Sequence, residues 1–282
     1  MIRIVADSTC DLSKDLIEKY DITILPLHII LGDEEFLDGV TITPDEIYKW
    51  SDANNTTPKT SAAGIDDTIS VLKSIIEAGD EVVMFSIASG MSTTINVFRM
   101  AVQELDAEDK VRVIDSANLS TGIGLQVIEA ACMARAGKSL DEIATAIEEI
   151  KPRVRASFVV DILTYLHRGG RCSGLAALAG GMLKLHPKIV VKDGVMGPDK
   201  KYRGKINSAI MNYAQDMEDA LLKAKKDRVF ITYSGCDKET VDSVRAYLES
   251  LNVFDEILET RAGGVVSSHC GPGTLGVLFI EN

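Results

Sequence analysis

Long apolar runs, paired cysteines and histidines are all scarce in this chain. No apolar run approaches the roughly 20 residues that a helix needs to cross a bilayer, so we expect no stable membrane insertion. The four histidines lack the spacing of metal ligands, which predicts that no metal is bound. The five cysteines form no C-x-x-C pair, which is typical of a reduced, cytoplasmic protein: Cys10, Cys132, Cys172, Cys236 and Cys270.

Negative charge dominates the chain, so nucleic acid is not an expected partner. The formal net charge is −12 over 282 residues. Residues 151–205 reverse this sign locally, because twelve lysines and arginines are opposed by only three aspartates. Such a segment predicts a docking face for an acidic or phosphorylated partner. The alternative is a set of solvated loop lysines.

Strand-like and helix-like runs alternate through the first half of the chain. The β-branched runs 2–6, 82–85 and 111–114 are typical of buried parallel strands, and the capping boxes at Thr43 and Ser139 predict helix starts. The first residues turn polar too early for a signal peptide, so the run 2–6 predicts a first strand.

The pattern changes after residue 152. The second half predicts a strand, a polar glycine-rich stretch, a small-residue helix, a β-hairpin and two longer helices, at 156–162, 165–171, 175–185, 188–203, 206–224 and 239–251. Further strands are predicted at 228–233, 257–261 and 275–280. We therefore predict an α/β protein of two domains. Residues 1–155 form an α/β domain with a parallel sheet, and residues 156–282 form an α+β domain with a mixed or antiparallel sheet.

The loop from Ser86 to Thr94 carries the strongest functional signal. It joins a predicted strand to a predicted helix through Ser, Gly and Thr, so hydroxyls and unpaired N–H groups lie at a positive helix end, which suits an anion. Other hydroxyl-bearing loops lie next to predicted strands or helix starts in the same way. Ligands of open α/β sheets bind outside the carboxyl ends of the strands, where such loops gather. Ordinary helix capping is the alternative. The candidate ligand-binding residues are Thr60, Ser61, Ser92, Thr93 and Ser116.

His269 is the other candidate, because it lies between hydroxyl residues and the turn Gly271-Pro272-Gly273. Gly90-Met91-Ser92 is one glycine short of the G-x-S-x-G nucleophile elbow, and a histidine follows downstream. The alternative function is therefore a serine hydrolase or esterase that uses Ser92 and His269 on acyl esters. No acid is convincingly placed to orient His269. The apolar stretch 175–183 is consistent with either the wall of an apolar tunnel or a buried helix.

Several of these motifs together resemble the DegV family of bacterial fatty-acid-binding proteins, over essentially the whole chain. The segments that carry the resemblance are Asp7-Ser8-Thr9-Cys10-Asp11, Thr60-Ser61, Ser89-Gly90-Met91-Ser92-Thr93, Val113-Ile114-Asp115-Ser116, Leu163 to Arg171, and His269 with Gly271-Pro272-Gly273. The resemblance implies two α/β domains that hold one long-chain fatty acid between them. It also implies a carrier rather than an enzyme, with no cofactor.

The resemblance also implies roles for individual residues. Thr60 and Ser92 would hold the carboxylate, and His269 would belong to the same network. A partner fatty acid kinase would phosphorylate the carboxylate to an acyl phosphate. The expected docking residues for that kinase are Arg168, Arg171 and Arg203. Ala62-Ala63 replaces the Gln-Pro that the family often has, and Thr93-Thr94-Ile95 replaces Gly-Thr-Tyr, so the preferred acyl chain stays open.

Overall fold

The computed structural model describes residues 1–172 and 185–282. The strands are β1 (Ile2–Asp7), β2 (Ile22–Leu25), β3 (His28–Leu31), β4 (Glu34–Leu37), β5 (Lys59–Ser61), β6 (Glu81–Ser86), β7 (Val111–Asp115), β8 (Val154–Val159), β9 (Leu185–Lys192), β10 (Val195–Arg203), β11 (Ala224–Ser234), β12 (Glu256–Arg261) and β13 (Thr274–Glu281). The helices are α1 (Lys14–Tyr20), α2 (Pro44–Asn54), α3 (Ile65–Glu77), α4 (Thr94–Glu104), α5 (Thr121–Arg135), α6 (Leu140–Ile150), α7 (Leu163–Gly169), α8 (Ile206–Asp216), α9 (Glu218–Leu221), α10 (Lys238–Ser250) and α11 (Gly264–Cys270).

The N-terminal sheet is parallel, in the order β2-β1-β6-β7. Its strands end at one edge, so the loops after Asp7, Ser86 and Asp115 gather there. A small antiparallel sheet, β4-β3-β5, packs with it, since Ile29 of β3 shares a cluster of buried side chains with Val5 of β1. The parallel sheet predicted from the β-branched runs is confirmed.

Capping boxes start two helices of the first half, as their sequences predict. In α2 the Thr43 hydroxyl accepts from the N–H of Glu46, and the Glu46 carboxylate accepts from the N–H of Thr43. Ser139 and Glu142 make the same reciprocal pair at the start of α6. Each pair satisfies two N–H groups that the helix itself leaves without partners.

The C-terminal sheet is mixed, in the order β10-β9-β8-β13-β11-β12. Only β11 and β12 are parallel among its described strand pairs, and β9 with β10 forms the predicted hairpin. The predicted domain boundary after residue 155 falls within β8, the strand that leads into this sheet. The two halves also share a core, since one cluster of buried side chains includes Phe85, Ile123, Phe158 and Phe230.

Three sequence predictions in the second half need correction or lie outside the described residues. The stretch 165–171 is largely helical, as α7. The helix from residue 206 ends at Asp216, because α9 and then β11 take up the residues predicted to continue it. The predicted helix 175–185 lies outside the described residues except for Leu185, which begins β9. Within the described ranges, no helix is long and apolar enough to cross a membrane.

Candidate functional site

A cavity of about 470 Å³ lies where the loop after β6, the strand β5 and the helix α11 meet. Its polar residues lie on the loop, on β5, just after α7 and at the end of α11: Thr60, Ser61, Ser89, Ser92, Thr93, Arg171 and His269. Its apolar lining comes from both halves of the protein: Leu27, Ile87, Met91, Leu119, Met196, Val265, Val266 and Cys270. The cavity therefore combines a hydrogen-bonding end with an apolar interior, which suits an amphiphile.

Thr60 and His269 meet at this cavity although they are 209 residues apart in sequence. The Thr60 Oγ1 lies 2.8 Å from the His269 Nε2. Thr60 lies on β5, a short edge strand paired with β3, rather than in the loop that the sequence predicts. Ser92 is in the predicted loop, and its Oγ lies 2.9 Å from the hydroxyl of Thr94 at the start of α4. Ser61 and Thr93 are exposed at the cavity.

The environment of His269 keeps its imidazole neutral. Burial of the ring lowers its pKa to about 4, and the positive charge of Arg171 contributes in the same direction. The Nδ1 atom is buried and has no hydrogen-bond partner in the described structure. A buried N–H without an acceptor is costlier than an unused lone pair, so we assign the proton to Nε2. Nε2–H then donates to Thr60 Oγ1 and leaves the threonine hydroxyl proton free to donate elsewhere.

Buried aspartates of the N-terminal half fix the helix that carries His269. Asp11 accepts a hydrogen bond of 2.8 Å from the N–H of Gly263, and Asp38 accepts one of 2.6 Å from the N–H of Gly264. Burial raises the pKa of both carboxyl groups. These two acceptors satisfy N–H groups at the start of α11 and hold this helix against the N-terminal half.

A third buried aspartate fixes the opposite wall. Asp7 accepts a hydrogen bond of 2.7 Å from the N–H of Ile87, where the Ser92 loop begins. Burial raises the pKa of Asp7 to about 6. The tip of the β9–β10 hairpin packs against the same loop, since a Cβ added at Gly90 would lie 2.7 Å from the carbonyl oxygen of Gly194. The loop is thus held from both halves of the protein.

The segment Leu163 to Arg171 packs against His269 and the end of α11. Gly169 lies so close to the imidazole that an added Cβ would come within 2.4 Å of His269 Nδ1. Tyr165 packs on Gly271, where an added Cβ would be 2.6 Å from the tyrosine ring. Two of the residues in this motif therefore position α11 and its histidine by close approach.

The structure places the three predicted docking arginines in different settings. Arg171 lines the cavity, donates to the carbonyl oxygen of Gly169 at 2.7 Å and contacts that of Met91 at 3.4 Å. Arg171 is therefore part of the cavity wall as well as of the surface. Arg168 is exposed and donates to the carbonyl oxygen of Asn55 at 3.4 Å. Arg203 is exposed, and among the described residues it forms no ion pair.

Comparisons with known proteins identify the family of this chain. A profile described as "Uncharacterised protein, DegV family" matches residues 1–282. The chain belongs to the DegV family. A DegV domain-containing protein of Clostridium perfringens is 32% identical over 283 residues, covering 99% of this chain and 98% of that protein.

Solved DegV structures superpose on the whole chain. A fatty-acid-binding DegV family protein from Thermus thermophilus has a TM-score of 0.91 and 28% identity, and the match covers 100% of this chain and 99% of that one. A stearic-acid-binding protein from Eubacterium ventriosum has a TM-score of 0.86 and 32% identity, with 100% and 98% covered. The two-part α/β architecture is therefore the fold of this DegV protein.

Ser116 is not brought to the cavity, although it follows β7 as expected. It is completely buried, and its hydroxyl exchanges hydrogen bonds of 3.2 Å with the backbone of Asn118. It shapes the turn into α5 and is absent from the described lining. The apolar lining includes three residues of α11 that the sequence motifs do not indicate: Val265, Val266 and Cys270. The run Val265-Val266 was the available signal, because an apolar pair beside His269 is consistent with an inward face.

The described geometry lacks the contacts that a serine hydrolase uses. Ser92 pairs with Thr94 and His269 pairs with Thr60, so serine and histidine share no hydrogen bond among the described residues. No described acid contacts the His269 Nδ1, where an orienting carboxylate would sit.

Within the described ranges, no group of three or more His, Cys, Asp or Glu side chains is placed to hold a metal ion.

We expect His269 of the ligand-free protein to titrate near pH 4 in an NMR titration, with its signal assigned by the variant His269→Gln. A histidine in the unfolded chain titrates near its usual value of about 6.5. The neutral imidazole therefore makes its full contribution to the free energy of unfolding above about pH 6.5. That contribution is lost as the pH falls from there towards 4. Arg171→Gln should raise this pKa by removing a nearby positive charge. A His269 titration near 6.5 in the folded protein would contradict the buried, neutral assignment.

Proposed function

We propose that this DegV protein binds one long-chain fatty acid, with the carboxylate at Thr60, Ser92 and His269 and the acyl chain in the apolar cavity. The contact of 2.8 Å between Thr60 and His269, at the polar end of a cavity of about 470 Å³, is the main support. Fatty-acid binding by DegV relatives with 28% and 32% identity supports the same conclusion. Ser61 and Thr93 lie at the rim, where their hydroxyls are available to the same head group.

The head group is held by a relay of hydrogen bonds. The His269 Nε2–H donates to Thr60 Oγ1, and the Thr60 hydroxyl donates to a carboxylate oxygen. The Ser92 hydroxyl turns from Thr94 to donate to the carboxylate. Donors must replace water here, because burying a carboxylate without hydrogen bonds is costly. Arg171 at the rim adds a positive charge that favours the ionised acid.

The acyl chain supplies most of the affinity. Removing a chain from water contributes about 0.8 kcal/mol per buried methylene. Lost translational freedom and chain ordering offset part of that gain. The hydroxyl and imidazole groups therefore select an acid over other lipids, while the apolar residues supply the binding strength.

We further propose that the protein is a carrier and that a partner fatty acid kinase acts on the bound acid. The carboxylate oxygen would attack the terminal phosphoryl group of a nucleoside triphosphate, giving an acyl phosphate and a nucleoside diphosphate. The position of the polar groups at the cavity rim supports this proposal, because the carboxylate would face the surface. The absence of a Ser–His contact among the described residues supports a non-catalytic role.

Native mass spectrometry of gently purified protein tests the binding proposal. We expect a fatty acid to copurify with the protein and to be released on denaturation. Extraction and identification of the lipid would then define the ligand. Protein that is empty, and that also takes up no added fatty acid in a binding assay, would rule the proposal out.

Partner docking is tested by reversing charges away from the cavity lining. Arg168→Glu and Arg203→Glu should leave fatty-acid affinity unchanged, because neither residue lines the described cavity. Acyl phosphate formation by the kinase should slow roughly tenfold at low salt and less at high salt, since surface charges act mainly on association. Arg99→Glu is the matched control, because Arg99 is an exposed arginine on α4. If Arg168→Glu and Arg203→Glu support acyl phosphate formation at the same rate as the control Arg99→Glu, the two arginines do not contribute to docking.

A further inference from the structure

Three strands of the C-terminal sheet, β8, β10 and β11, end at the same edge. They point the same way, because β8 and β11 are both antiparallel to β13, and β8 and β10 are both antiparallel to β9. The loops that follow them lead into α7, α8 and α10. Ligands of open α/β sheets bind outside the carboxyl ends of the strands, so this edge has the position of a ligand site.

A cavity of about 200 Å³ lies between these loops and shares no described lining residue with the main cavity. Pro272 and Gly273, from the turn that follows α11, line it. The turn packs closely on the loop after β11, since a Cβ added at Gly235 would lie 2.9 Å from the Cβ of Pro272. Sites for drug-sized ligands have volumes of about 300–1,000 Å³, so this cavity suits a smaller molecule.

Asp161, which lines this cavity, is placed there by two neighbours. Its Oδ1 lies 3.3 Å from the Nδ1 of His186, and the Nε2 of that ring lies 3.1 Å from the carbonyl oxygen of Gly204. A Cβ added at Gly273 would come within 2.7 Å of the Cβ of Asp161, so a side chain at position 273 would displace the aspartate. The carboxylate is thus set at the cavity by close packing.

Two helices begin at the cavity, and neither is capped by its own N-cap side chain. The described lining includes Ile206 and Asn207 from the start of α8, and Asp237 and Thr240 from the start of α10. The N-cap residues, Lys205 and Asp237, form no side-chain hydrogen bond to the N–H groups of their helices. The first N–H groups of a helix have no acceptor within the helix, so they are available to a ligand.

The hydroxyl of Thr240 is independent support for a ligand. Thr240 lines the cavity and is only 3% exposed. Its Oγ1 is buried and has no hydrogen-bond partner in the described structure. A buried hydroxyl without a partner carries an uncompensated desolvation cost. A molecule in the cavity would supply the missing partner.

The electrostatics of the cavity favour a neutral molecule. Helix starts favour negative charge, whereas the carboxylates of Asp161 and Asp237 favour positive charge. The described lining contains no lysine or arginine that would offset these carboxylates. The ligand must therefore offer donors to the carboxylates and acceptors to the N–H groups. Hydroxyl groups on adjacent carbons do both, and their C–H faces can pack on Ile162 and Ile210.

We propose that this cavity binds a small neutral polyol or monosaccharide, whose hydroxyls donate to Asp161 and Asp237 and accept from Thr240 and the starts of α8 and α10. The site is separate from the proposed fatty-acid site and does not depend on it.

Amide NMR spectra of the full chain test the inference, with glycerol, ribose and glucose as neutral probes. We expect saturable shifts of the amide signals of Asn207 and Thr240 with at least one of these probes. Inorganic phosphate and ethanolamine serve as the anionic and cationic probes. Each should bind at least about tenfold more weakly than the best neutral probe, since each meets charge of its own sign.

Two variants locate the binding. Asp161→Asn keeps the shape of the side chain but removes its charge, and should weaken binding of the best neutral probe by about 10- to 150-fold. Asp242→Asn is the matched control and should change nothing, because Asp242 is an exposed residue of α10 outside the described lining. Thr240→Val should weaken binding by about two- to tenfold. It should not lower the free energy of unfolding, because the hydroxyl has no partner in the described structure.

The outcomes are distinct. Tighter binding of phosphate or ethanolamine than of every neutral probe would overturn the inference, as would the absence of saturable shifts at both amides. Shifts that Asp161→Asn and Thr240→Val leave unchanged would place the probe elsewhere and overturn it as well. If Asp161→Asn does not fold, Thr240→Val and the comparison among the probes still decide the result.

Discussion

Replacing Thr60 with valine should weaken fatty-acid binding by about 10- to 150-fold, the range expected when a hydrogen bond to a charged group is lost. Valine keeps the shape of threonine on β5 but cannot donate to the carboxylate or accept from His269. The His269 Nε2–H would then lose its acceptor, and the free energy of unfolding should fall by about 1–3 kcal/mol. Titration calorimetry and denaturant unfolding measure the two effects separately.

Two variants make the Thr60 result specific. Thr60→Ser keeps the hydroxyl and should restore most of the affinity, whereas a purely steric role would not be rescued in this way. Thr57→Val applies the same substitution three residues earlier, at a position outside the described cavity lining, and should leave binding unchanged. Native-like affinity in Thr60→Val would remove Thr60 from the head-group site.

Replacing Gly169 with alanine should disrupt the site from a position that does not line the described cavity. Alanine normally stabilises a helix relative to glycine by about 1 kcal/mol, so without a collision this change in α7 would be favourable. Here the added Cβ would come within 2.4 Å of His269 Nδ1, and the imidazole must move away from Thr60. We expect a net destabilisation of about 1–3 kcal/mol together with weaker fatty-acid binding.

A double-mutant cycle identifies the cause of the Gly169 effect. In the background His269→Ala the ring is gone, so Gly169→Ala should become neutral or stabilising. Gly197→Ala is the matched control, because nothing lies within 4 Å of the Cβ that it adds. If Gly169→Ala destabilises the protein equally with and without the imidazole, the contact with His269 is not what requires the glycine.

The parts of the site that depend on local sequence were predictable. The Ser92 loop follows from a β-branched strand, a short Ser/Gly/Thr segment and a helical pattern, and all three lie within residues 81–104. The capping boxes at Thr43 and Ser139 are equally local. The parallel N-terminal sheet and the β9–β10 hairpin follow from short-range patterns of the same kind.

The parts that depend on long-range packing could not be derived from local patterns. The resemblance placed Thr60 and His269 in one network, but their contact joins an edge strand to a helix 209 residues away. The place of Gly169 against the imidazole is visible only once α7 and α11 are packed together. Ser116 follows a strand, as Ser92 does, but it is completely buried and its hydroxyl pairs with the backbone of Asn118. The position of a hydroxyl residue after a strand therefore does not by itself place it at the cavity.

The hydrogen bonds from Asp11 and Asp38 to the start of α11 carry a consequence for how such a protein can change over time. Each aspartate lies in the N-terminal half, while the amides and the histidine that they orient belong to the C-terminal half. Neither half holds all the residues of the proposed head-group site. A recombinant built from the halves of two different relatives would keep that proposed site only where both carboxylates meet a matching helix start.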